Sequence, residues 1–143
     1  VEKLICIRRE ASANIIAIRF SRKRRQFMPK SNIVRLQHMF DSARKAIDFC
    51  KGHTREDLDS EDLLGLAVVR LIEVVGEAAS QVTPDFQDRH SQLPWSNIIG
   101  ARHRLIHGYD EVDMDIVWSI IQEDLPKIAQ QLEEIIKKES EKE

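Results

Sequence analysis

Between Leu63 and Val82 the chain is apolar on most sides of any helix drawn through it, in a sequence of which 32% is charged. Such a segment must be covered all round, so it is predicted as a central helix with others packed about it. Its neighbours carry narrower stripes. Ile33, Leu36, Phe40, Ala43, Ile47 and Cys50 recur at alternating spacings of three and four, one helix face. Met114, Trp118, Ile121, Leu125, Ile128, Leu132 and Ile135 form another. No segment alternates as a strand would, and no internal repeat is present. The expected fold is all-α, an antiparallel four- to five-helix bundle.

Boundary residues divide the helices. Ser31 is a plausible N-cap for the first, and Gly52 stops it. Ser60 is expected to cap the central helix, with Glu61 and Asp62 in its first turn, and Pro84 to close it. A loop with room for a short turn leads to Pro94. Trp95 to about His107 reads as a third helix, with Gly108 as its stop. Asp113 can cap a fourth, which Pro126 must kink or split.

The 143 residues suit one domain with a modest core. The formal net charge of −2 does not itself point to nucleic acid, but it hides an asymmetry. Residues 1–27 hold eight basic and two acidic residues, a net of +6, and the remainder is at −8. Residues 1–27 are therefore read as a basic extension, disordered or lying ahead of the native start at Met28. Residues 28–143 are read as the helical domain. Cys6 and Cys50 are too few for a disulfide framework or a zinc cluster, so a cytoplasmic location is expected. No apolar run is long enough for a bilayer, and no membrane partner is expected.

The stretch ARHRLIHGYDEV, from Ala101 to Val112, concentrates titratable chemistry. His103 and His107, four apart, share a helix face. Arg102 lies beside His103, and Arg104 falls on the other side. Beyond Gly108 the chain can turn and bring Tyr109, the only tyrosine, back toward His107. A guanidinium offers a fixed-charge fork to phosphate oxygens, and an imidazole moves protons near neutral pH. Together they suit phosphodiester cleavage. Spacing alone also fits a plainer role, with histidine at a helix C-terminus and arginines in surface ion pairs. A metal held by His103 and His107 would have only Asp110 as a third ligand, so no metal is expected. Arg70, Glu73 and Glu77 lie at helical spacing on the central helix. They could orient Arg102 or His107, form an internal ion-pair stripe, or belong to a dimer seam.

RHRLIHGY resembles the R-x-x-x-x-H-x-Y motif of the HepT-like toxins, members of the HEPN superfamily of helical ribonucleases. RLIEVVGEAAS (70–80), LPWSNIIGARHRLIHGYDEVD (93–113), DIVW (115–118) and EDLP (123–126) fall in that family's order and spacing. The resemblance covers Met28 to about Lys138. It departs where the family often has MRN and this chain has Ala101-Arg102-His103. It implies a HEPN-like homodimer whose two motifs form one composite RNA site, needing no metal or other cofactor. Arg102 and His107 would be catalytic, with His103 in place of the family's amide; Glu73 and Arg70 are read as supporting from their spacing on the central helix. The implied partner is a minimal nucleotidyltransferase antitoxin, in a type VII-like toxin–antitoxin pair. That partner would transfer AMP to Tyr109 and so block the phosphate site. The rival reading is a non-catalytic nucleotide- or substrate-binding subunit of a nucleotidyltransferase complex. A purely structural helical dimer would need none of Arg102, His107 and Tyr109.

Overall fold

The computed structural model describes residues 31–107, the last by its backbone alone, and 112–142. The division expected at Met28, the basic extension and the stop at Gly108 lie outside the described residues. Within them the chain is helical, with no strand. No described helix is long and apolar enough to cross a membrane.

Helix α1 (Asn32–Phe49) starts where Ser31 Oγ accepts a hydrogen bond from the Val34 N–H. Its covered face is Leu36, Met39, Ala43 and Ala46, with Cys50 buried at the C-cap. Ile33, Phe40 and Ile47 flank that face and are only partly covered. The sequence stripe was thus centred to one side of the true core line, because α1 packs against two helices and the buried arc bisects them. Gly52, at φ +76°, reverses the chain in a conformation that costs glycine little.

The connection that follows contains a turn of its own. The Asp57 carboxylate accepts the Thr54 N–H at 2.7 Å and starts the one-turn helix α2 (Asp57–Ser60), which buries Leu58. Ser60 is therefore the last residue of α2 and not the cap of the central helix. Glu61 occupies that N-cap, and its side chain makes no capping bond.

Helix α3 (Asp62–Ser80) is the central helix, between α1 and the next long helix. It buries Val68, Ile72, Val75, Ala78 and Ala79. It is not covered all round: Leu63 and Leu66 are 82% and 69% exposed. Pro84 does not close α3, which ends at Ser80. It takes the first position of helix α4 (Pro84–Arg89), where its missing N–H costs nothing. Asn32 and Thr83 exchange two hydrogen bonds, 2.9 and 3.1 Å, tying the starts of α1 and α4.

Helix α5 (Trp95–His107) has the predicted bounds. Trp95 anchors it, buried and donating its indole N–H to the His90 carbonyl at 3.0 Å. Ile98 and Leu105 are buried behind it, and α5 packs against α3.

The last helical run is α6 (Met114–Ser119), a π-helical segment Ile120–Asp124, and α7 (Leu125–Ser140). Asp113 caps α6, accepting from the Asp115 and Ile116 N–H groups. The interruption expected at Pro126 takes the form of the π-helical segment just before it. Pro126 has no N–H for the Gln122 carbonyl and its ring crowds that group. The turn before it widens to π geometry, and the apolar stripe continues. Val117, Ile121, Leu125, Ile128, Leu132 and Ile135 are all buried. The long helices thus lie in the order α5, α3, α1, α7, an antiparallel all-α bundle.

Leu132 is fully buried and Glu133, beside it, is exposed. Leu132→Ala is expected to cost about 2–5 kcal/mol and Glu133→Ala no more than about 0.5 kcal/mol, as read by urea unfolding.

Candidate active site

Helix α5 presents Arg102 to α3, and a glycine makes that approach possible. A Cβ on Gly76 would overlap the Cβ of Arg102 and stand 3.1 Å from the Ile98 carbonyl oxygen. Glycine inside a helix costs about 1 kcal/mol relative to alanine. Here it lets the stem of Arg102 lie directly against the α3 backbone. The next residue of α3 then fixes the head group: Arg102 Nη2 lies 2.5 Å from Glu77 Oε2. The side chains of Arg102 and Glu77 are 25% and 46% exposed, so the pair is half-sheltered. A guanidinium has five donors, and Glu77 engages one nitrogen. The remaining donors can take a phosphate oxygen in the planar geometry that arginine favours.

The other predicted site residues fall around this pair. His103 is exposed on α5. Glu73, one turn before Glu77, pairs with Arg70 at 3.2 Å and not with Arg102. Of the three candidates on α3, Glu77 reaches Arg102, while Arg70 and Glu73 form a local i,i+3 pair. His107 is the final residue of α5. Its side chain, Tyr109 and Asp110 lie outside the described residues, as does the suggested metal set of His103, His107 and Asp110. Arg104 stands on the other flank of α5. It lines a cavity of about 520 Å³ between α5 and the π segment, with Lys127 across from it and Ile72 and Val75 lining it from α3. Arg102 does not line this cavity, which is therefore separate from the Arg102–Glu77 pair.

Two contacts were not anticipated. Gly76 has a weak sequence signal, a glycine in an otherwise strongly helical segment. Arg55 has none. It reaches from the α1–α2 connection to Asp115 at 2.6 Å and to Asp59 at 2.8 Å. The described residues on either side of positions 108–111 are each held: Arg102 against α3 before them, and the Asp113 cap and the Arg55–Asp115 pair after them.

The family described as Ribonuclease HepT-like matches residues 39–135, a span that contains Gly76, Glu77, Arg102 and His107. The chain belongs to the HepT-like ribonuclease family. Its activity class is accordingly the cleavage of RNA. A protein of Caldanaerobacter subterraneus subsp. tengcongensis, named as a candidate RNase, is 36% identical over 73% of this chain and 93% of its own length. One from Methanocaldococcus jannaschii, named in the same way, is 33% identical over 68% of this chain and 90% of its own. A protein of Thermococcus cleftensis named probable ribonuclease HepT is 34% identical over 65% of this chain and 88% of its own. No solved structure matches the chain significantly.

Gly76→Ala is expected to destabilise the protein by about 1–3 kcal/mol, because the new methyl must displace Arg102 or part the two helices. Gly100→Ala, also on α5 but with nothing within 4 Å of its added Cβ, should be neutral or stabilising by up to about 1 kcal/mol. Urea unfolding of the two variants gives the comparison.

Proposed function

We propose that this HepT-like ribonuclease is the toxin of a type VII-like toxin–antitoxin pair, with Arg102 and His107 as its catalytic residues. The observation that carries the reading is the Arg102–Glu77 pair, in which a buried-stem guanidinium is held at the face of the bundle a few residues before His107. The Arg102 fork holds the non-bridging oxygens of the scissile phosphate and meets the charge that grows on phosphorus. The His107 imidazole takes the proton of the ribose 2′-hydroxyl or supplies one to the leaving oxygen. Cleavage by attack of the 2′-oxygen needs no metal. It leaves a 2′,3′-cyclic phosphate or its 3′-phosphate product. Glu77 acts through Arg102 as a positioning residue, and His103 flanks it.

The working unit is a homodimer. Leu63 and Leu66 share one face of α3 with Arg70, Glu73 and Glu77, and exposed Ile106 and Ile116 stand on α5 and α6. This apolar surface supports a seam along α3, α5 and α6 that brings two copies of Arg102 and His107 together. The expected antitoxin is a minimal nucleotidyltransferase that transfers AMP to Tyr109. Tyr109 stands two residues from His107, so an added adenylyl group places bulk and negative charge where an RNA phosphate would bind.

His107→Ala and Arg102→Ala should each abolish RNA cleavage and growth inhibition while leaving helicity and dimerisation intact. Parental activity in purified His107→Ala would remove His107 from catalysis. Absence of any cleavage by the parental dimer would favour the binding-subunit reading. Co-expression with the nucleotidyltransferase should add AMP in steps of about 329 Da and silence the enzyme. Tyr109→Phe should stay unmodified and toxic in its presence. Full neutralisation of Tyr109→Phe would mean inhibition by masking of the cleft.

A further inference from the structure

We propose that His53, Asp57 and Glu61 form a divalent transition-metal site that clasps the connection between α1 and α3. The three side chains lie on separate pieces of structure: the turn after α1, the first position of α2 and the N-cap of α3. One donor atom from each converges within 4.8 Å of the others. His53 Nδ1 is 3.3 Å from Asp57 Oδ2 and 4.0 Å from Glu61 Oε1. Around a zinc-sized ion, with bonds of about 2.0–2.2 Å, tetrahedral donors stand about 3.3–3.5 Å apart. The His53–Asp57 pair is already at that separation, and the two pairs that involve Glu61, at 4.0 Å and within 4.8 Å, close by a swing of its exposed side chain.

Further features set this group apart from a chance meeting of charges. Glu61 holds the N-cap of α3 but makes no side-chain bond to the helix, and turns toward His53 instead. Asp57 is held by the Thr54 N–H at 2.7 Å, a backbone contact that orients a ligand as outer-shell partners do. The nearest cations are committed elsewhere, Arg55 to Asp59 and Asp115, and Lys51 to Asp48. An imidazole with two carboxylates balances a 2+ charge and leaves coordination positions for water. That donor set suits zinc, manganese or iron better than magnesium or calcium, which prefer oxygen alone. Cys50 is buried and its thiol is pushed up by desolvation, so it is not a competing thiolate.

The consequence lies in Arg55. It sits between His53 and Asp57 in sequence and reaches Asp115 at the start of α6. An ion across His53, Asp57 and Glu61 would fix the turn that carries Arg55, and with it the attachment of α6 just after the motif segment. The site is structural and independent of the ribonuclease mechanism, which uses no metal.

The test is zinc titration of the full chain after chelation and gel filtration, by calorimetry and thermal melting. One zinc per chain should bind at this site and raise the unfolding midpoint by roughly 5–10 °C at a hundredfold excess over Kd. His53→Ala and Glu61→Gln should weaken that binding at least about tenfold and remove the rise, with helicity retained. Glu56→Gln, next to the cluster but outside it, should leave both unchanged. Equal zinc affinity and equal midpoint rise in the parental, His53→Ala and Glu61→Gln proteins would overturn the site. Absence of zinc binding by the parental chain would do the same, leaving an internal hydrogen bond only.

Discussion

The close crossing of α3 and α5 at Gly76 is the contact on which the placement of Arg102 depends. Much of the core is aliphatic and tolerates substitution if volume is kept, and Gly65 makes a second tight approach, to the Leu58 carbonyl. At Gly76 the constraint is backbone against side-chain stem, with no volume to trade. That approach puts the Arg102 guanidinium within ion-pair distance of Glu77. Removing only one member of such a half-sheltered pair leaves the other charge poorly compensated. The pair is thus a fixed point from which the remainder of the motif is hung.

The far side of the motif is fixed by different means. Asp113 caps α6 through two backbone N–H groups, and Arg55 crosses sixty residues of sequence to hold Asp115. The anchors before and after the motif therefore belong to different parts of the bundle, one central and one at the α1–α3 connection.

Local signals in the sequence were strong where one residue alone decides the structure. Ser31, Asp113 and Trp95 mark helix starts because a side-chain oxygen or an anchored aromatic acts within one turn. Expectations failed at Ser60 and Pro84, where a neighbouring short helix took the residue, and at Leu63 and Leu66. Ser60 looked like a cap until Asp57 and Thr54 nucleated a turn that absorbed it. Pro126 disturbs its helical run as expected, but the disturbance is a π turn, which leaves its apolar neighbours in the core. Leu63 and Leu66 looked like core because apolarity does not reveal which surface will cover it. Arg102 and His107 stood out in the sequence through residue type and the family resemblance, and the structure sets Arg102 against Glu77. Which carboxylate meets Arg102 was not legible, since Glu73 and Glu77 lie one turn apart on the same face of α3 and only the height of the crossing selects between them.

The central claim is that Arg102 acts as a planar, Glu77-held fork on the scissile phosphate, and not merely as a positive charge. Single-turnover RNA cleavage by Arg102→Lys tests it most directly. Lysine keeps the charge but cannot share one rigid plane of donors between Glu77 and a phosphate. The account predicts a fall of about a hundredfold in the cleavage rate with dimerisation and helicity unchanged. A rate equal to that of the parental enzyme would contradict it.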